Sequence, residues 1–102
     1  MLKNMYALYD TTAKAFLNPL SFINHGEAVR WLTTIVNSEE TTNVTLYPTQ
    51  FSLYYLGQFD DQLGTVQNDK QEIMQASSVK ETAKEYTIEQ LINTINSTGA
   101  KN

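Results

Sequence analysis

A chain of 102 residues with 41 % hydrophobic content has room for one hydrophobic core burying roughly 60 to 70 % of the unfolded surface, which excludes disorder over most of its length. The formal charge of −4 argues against a generic phosphate binder, whose affinity comes from Lys and Arg displacing counterions, and no Lys or Arg occurs between Trp31 and Asp69. The absence of cysteine removes disulfides, thiolate metal sites and cysteine nucleophiles together, and suits a reducing compartment.

Met5 to Asp10 reads as a strand, because Tyr6, Leu8 and Tyr9 favour a half-buried pleated setting, and Thr11 to Lys14 can turn it back. A second short strand over Ala15 to Phe22 is predicted at a sheet edge or broken at Asn18-Pro19, since Pro19 lacks a backbone donor. Asn24 and Glu27 have capping-box spacing and open a helix. Its apolar positions Ala28, Trp31, Leu32 and Ile35 share a core-facing side, and Asn37-Ser38 ends it. Residues 39 to 50, rich in Thr and broken by Pro48, read as a loop with a short extended piece at Val44 to Tyr47.

The clearest strand follows, with Phe51, Leu53, Tyr55 and Phe59 pointing inward and Ser52, Tyr54, Leu56 and Gln58 outward, and with Gly57 marking a bulge or a close backbone approach. Asp60 to Gly64 has turn chemistry, so Thr65 to Gln67 should return as a hairpin. From Asn68 to Glu85 the chain is polar and reads as a linker with Ile73, Met74 and Val79 as anchors. Thr87 then opens a second helix, with Gln90 completing its capping box and Gly99 stopping it; Ile88, Leu91, Ile92 and Ile95 form its single apolar stripe. A helix this short is marginal in water unless the stripe docks, on this domain or on a partner subunit. The predicted architecture is α+β: a small antiparallel sheet of about four strands in two hairpins with one packed helix, as a 1–67 core domain and a 68–102 linker with a C-terminal amphipathic helix.

No catalytic constellation can be assembled. His25, the one histidine, has no Ser or Cys nucleophile and no second imidazole or thiolate to work with, so a surface or capping role is expected rather than a metal or catalytic one. Asp60-Asp61 and Glu39-Glu40 read as turn and loop charges, because adjacent strand residues point to opposite faces whereas catalytic carboxylates must converge. No Gly-rich phosphate loop or metal-ligand spacing is present. The expectation is a protein without enzymatic activity, cofactor or metal.

The aromatics carry the competing functional reading. Tyr54 on the outer face of the best strand, beside Tyr6 or Tyr9 on a neighbouring strand, can offer a platform on which unpaired bases stack; the alternative places these rings in the core or at a subunit interface. Lys3, Lys14 and Arg30 are the cations that phosphates would meet, although Arg30 can also pair with Glu27 three residues earlier. The beginning of the chain holds no apolar stretch long enough for a signal peptide or a membrane span, so a cytoplasmic protein with no membrane partner is expected.

Three blocks point to a family: Met5-Tyr6-Ala7-Leu8-Tyr9-Asp10, then Gly26-Glu27-Ala28-Val29-Arg30, then Tyr47-Pro48-Thr49-Gln50-Phe51-Ser52-Leu53-Tyr54 running on to Gly57-Gln58-Phe59-Asp60 and Gly64. Their order and spacing resemble the small nonstructural open-reading-frame-five proteins of gokushoviruses, icosahedral single-stranded DNA bacteriophages of the microvirus group, over roughly residues 5 to 66. The third block is the most specific, and Arg30, Tyr54, Gly57 and Asp60 fall on motif positions. The resemblance implies a nonstructural protein of the infected bacterial cytoplasm that binds single-stranded DNA as replication shifts toward genome synthesis and packaging. Joined to the residue pattern, it assigns nucleic-acid contact to Lys3, Tyr6, Lys14, Arg30 and Tyr54. The alternative is a homo-oligomeric interaction module, using the stripe Ile88, Leu91, Ile92 and Ile95 for self-association or for gripping a phage or host replication protein.

Overall fold

The computed structural model describes residues 1–81, so the expected second helix with Ile88, Leu91, Ile92 and Ile95 lies outside the described residues. Strand β1 spans Leu2–Asp10, β2 Ala15–Phe16 and β3 Leu20–Phe22; helix α1 spans His25–Val36 and α2 Asn43–Leu46; β4 spans Phe51–Asp60 and β5 Thr65–Gln75. Single 3-10 turns follow α2, at Pro48–Gln50, and β5, at Ala76–Val79. The five strands form one antiparallel sheet ordered β2-β1-β4-β5, with β3 continuing beside β1. The expected α+β class holds. The break at Asn18-Pro19 also holds, since β2 and β3 pair with two separate stretches of β1.

Local chemistry explains each boundary. Asn24 accepts from the Glu27 amide at 2.9 Å and so caps α1, while the Glu27 carboxylate reaches past the cap to the Ile23 amide at 3.2 Å. That carboxylate is spent on the backbone, and among the described residues Arg30 makes no ion pair. The two hairpins repeat one device: Asp10 accepts from the amides of Thr12 and Ala13, Asp60 accepts from those of Gln62 and Leu63, and the fourth loop residue is left-handed in both. That residue is Gly64 in one hairpin, at φ 70°, and Lys14 in the other, at φ 56°.

Three expectations need correcting. Val44 to Leu46 is helical, with Tyr47 as the C-cap, because Thr42 and Thr45 cap each other's backbone in a reciprocal box, a pairing of two threonines where Glu or Gln is the usual partner. The stretch from Asn68 is no linker, since β5 runs on to Gln75 beside β4, its pairing interrupted at Asp69-Lys70 and at Ile73; the expected anchors Ile73, Met74 and Val79 do pack on the core. The 1–67 boundary therefore cuts through a strand. Finally, Leu56 is an extra residue between Tyr55, opposite Tyr6, and Gly57, opposite Met5. This bulge reverses the alternation, so Gln58 lands on the helix-covered face, bonding Asn4, and Phe59 lands on the other.

The core fills only one side of the sheet. Tyr6, Leu8, Phe51 and Leu53 pack against Ala28, Leu32 and Val36 of α1, all at most 3 % exposed. The α1 layer covers one face. The opposite face is left open by the described residues.

Candidate nucleic-acid interface

Register defines what the open face carries. Ala7 lies opposite Tyr54 and Tyr9 opposite Phe16, so Tyr9, Phe16 and Tyr54 project to the same side. Their rings form a triangle with centroid separations of 4.8, 5.2 and 6.2 Å, in tilted and edge-to-face contact. Lys70 of β5 extends across the sheet until its ammonium lies 5.9 Å from the Phe16 ring. Phe16 remains 40 % exposed, which leaves a ring surface available for stacking. Beyond the triangle, Met5, Pro19, Leu56, Phe59 and Val66 line an apolar depression of about 520 Å³ that Lys70 also borders. Glu72, opposite Tyr54, is the carboxylate the register brings to this face.

The residues assigned from sequence are thereby separated. Tyr54 and Lys3 share the open face, Lys3 by its pairing with Phe59. Lys3 lies at the far end, however, and its ammonium is 3.7 Å from the Asp61 carboxylate, which also holds the terminal ammonium of Met1 at 2.7 Å. These two cations, the chain-terminal one first, hold the Asp61 carboxyl below its ordinary range. Lys14 stands at the β1–β2 turn, next to the triangle in the chain. Arg30 is exposed on α1, across the sheet from Tyr54.

Tyr6 cannot be a stacking residue. It is 1 % exposed, its ring wedged between Phe22, His25 and Tyr55 at 5.3 to 5.7 Å. Its hydroxyl lies 2.6 Å from His25 Nδ1, so a protonated phenol donating there leaves His25 its Nε2 proton. His25 is therefore a hydrogen-bond partner of the core, a role its isolation in the sequence concealed. Asn4 closes the same corner by accepting from Tyr55 and Gln58 and donating to the Ile23 carbonyl at 2.8 Å.

Burial, and then the neighbouring Tyr55 and Glu27, push the Tyr6 phenol above its ordinary pKa. The folded state thus keeps a proton that the unfolded chain loses near pH 10, and stability present below that pH falls as pH rises through the folded value. Urea midpoints between pH 9 and 12 should fall more steeply for the native chain than for Tyr6→Phe. Parallel curves would mean that this phenol ionises freely.

Residues missed from sequence are Phe16, whose place depends on the β1–β2 register, and Lys70, which was assigned to a linker. The sequence offers Tyr6 or Tyr9 beside Tyr54 and favours Tyr6; the register decides for Tyr9, which has the parity of Ala7, opposite Tyr54, as Tyr6 does not.

Fold and face together define a class of small two-layer α+β proteins with an aromatic sheet surface exposed. The family described as Phage ORF5 protein matches residues 3–79, and the chain belongs to it; it is a phage protein. No curated protein and no solved structure matches the chain. Among the described residues no helix is long and apolar enough to cross a membrane.

Proposed function

We propose that this phage protein is a nonstructural accessory factor that binds single-stranded DNA on the open sheet face during genome replication or packaging in the host cytoplasm. The observation that carries the reading is the Tyr9, Phe16 and Tyr54 triangle with Lys70 reaching over it. Base stacking on aromatic rings contributes about 1 to 3 kcal/mol per base without regard to sequence, so it can act where net charge is unfavourable. Lys70, Lys14 and Lys3 supply local cations; Arg30 is on the wrong side of the sheet.

Lys14 adds a second support. A left-handed residue other than glycine costs about 1 to 2 kcal/mol, and the sister turn avoids this with Gly64. Strain of this kind collects at functional positions. Fluorescence-anisotropy titration of a short oligothymidylate at low salt should show binding with a log–log salt slope near −2, about 0.7 per neutralised phosphate for three lysines. Lys14→Gly should stabilise the fold while weakening binding. No binding at high micromolar protein, or unchanged affinity in Lys14→Gly, would count against the proposal.

A second reading, self-association through the same face, is favoured by the apolar depression around Met5, Leu56, Phe59 and Val66. Light scattering separates the two: a dimer that oligothymidylate leaves intact supports self-association, and a monomer that binds DNA supports the first reading.

A further inference from the structure

On the α1 side of the sheet a second, larger cleft of about 670 Å³ opens between the helix and the β2–β3 edge. Trp31, Ile35 and Val44 form one wall, and Leu17 and Leu20 of the β2–β3 segment form the other. Leu17 is 45 % and Leu20 41 % exposed, so two leucines facing a tryptophan remain uncovered by the described chain.

The place where the described chain ends bears on what could cover them. Asn37, the residue that closes α1, donates to the Val79 carbonyl at 2.9 Å and accepts from the Glu81 amide at 2.8 Å, while Lys80 donates to the Val36 carbonyl at 3.2 Å. Residue 81 is thus fastened to the C-terminal end of α1, one residue from Ser38 on the rim of the cleft. Residues 82–87 can reach about 20 Å when extended, enough to round the end of α1. Directly after them come Ile88, Leu91, Ile92 and Ile95, whose i, i+3, i+4, i+7 spacing collects them on one side of a helical turn pattern. Such a stripe requires an apolar surface, and this cleft is apolar, left uncovered by the described residues, and within reach.

We infer that residues 88–95 dock in this cleft of their own chain, setting Ile88, Leu91, Ile92 and Ile95 against Leu17, Leu20, Trp31 and Ile35. The stripe is then an intramolecular cover for the helical layer, which leaves the open sheet face as the exposed apolar surface.

Trp31 is the one tryptophan and the chain has no cysteine, so the full chain supplies both reporters. Ile92→Asp should shift Trp31 emission to the red and raise its quenching by acrylamide, while Asn93→Asp, off the stripe, leaves both unchanged. Oxidation of Leu17→Cys combined with Leu91→Cys should give a disulfide within one chain, seen as a monomer of altered mobility on a non-reducing gel. Unchanged Trp31 emission in Ile92→Asp would overturn the inference, as would a disulfide-linked dimer, which would assign the cleft to the segment of a second copy.

Discussion

Gly57→Ala is expected to lower stability by about 2 to 6 kcal/mol, the sum of an unfavourable backbone conformation and an overpacked contact, each typically about 1 to 3 kcal/mol. Gly57 has φ 129°, a conformation that side chains rarely adopt, and it sits where β5 passes closest. A Cβ there would collide with the Gln67 carbonyl oxygen and come within 3.0 Å of the Asp69 amide nitrogen, both backbone atoms that cannot swing away. Domains of this size have about 5 to 15 kcal/mol in all, so the variant should unfold at a markedly lower urea concentration or fail to accumulate as folded protein. A loss under about 1 kcal/mol, within the range of ordinary substitutions, would mean the close approach of β5 is not as described. The consequence reaches the function, because the bulge at Leu56-Gly57 is what turns Phe59 onto the open face.

The second large effect belongs to the aromatic triangle. Replacing Phe16 and Tyr54 together by leucine keeps apolar bulk on the sheet but removes two flat rings. If each ring stacks a base for about 1 to 3 kcal/mol, affinity for single-stranded DNA should fall by about 30-fold or more. Stability should change far less than in Gly57→Ala, since Phe16 is 40 % exposed and Tyr54 is not among the buried core residues. The leucine pair also separates the two uses of the face: apolar self-association would survive it, whereas stacking would not. An affinity within threefold of the native chain would contradict a stacking platform.

Much of this architecture was legible in the sequence wherever one residue type forces one geometry. Asn24 with Glu27 announces a helix start, Pro19 interrupts an edge, and Asp60 with Gly64 makes a turn; the structure places all three as expected. What escaped was register. A one-residue bulge inverts every later side chain, so Phe59 and Gln58 exchanged faces. Tyr6 and Tyr9 illustrate the same point: both are tyrosines on β1, yet one is buried against His25 and the other belongs to the open triangle, and only the pairing of Ala7 with Tyr54 distinguishes them. Strand β5 was read only from Thr65 to Gln67, and its continuation to Gln75 escaped because Thr65 through Glu72 are all exposed, so that this stretch of edge strand carries no apolar alternation to read. Lys70, inside that strand, was lost with it.

The Phe16 environment also explains how an acidic chain can present a cationic spot. Lys70 is carried on the edge strand but delivers its charge over a ring on the far side of the sheet, away from Asp60 and Asp61 at the β4–β5 turn. Glu72 opposes it locally, which fits a weak, stacking-led association better than a strong electrostatic one.

The most direct measurement is the footprint of an oligothymidylate on the amide and aromatic resonances of the full-length chain at low salt. The account predicts shifts centred on Tyr9, Phe16, Tyr54 and Lys70, fading toward Lys3, with Arg30 on the outer surface of α1 undisturbed. Shifts gathered around Arg30 and α1 with the triangle silent would contradict it, as would a spectrum that the oligonucleotide leaves unchanged.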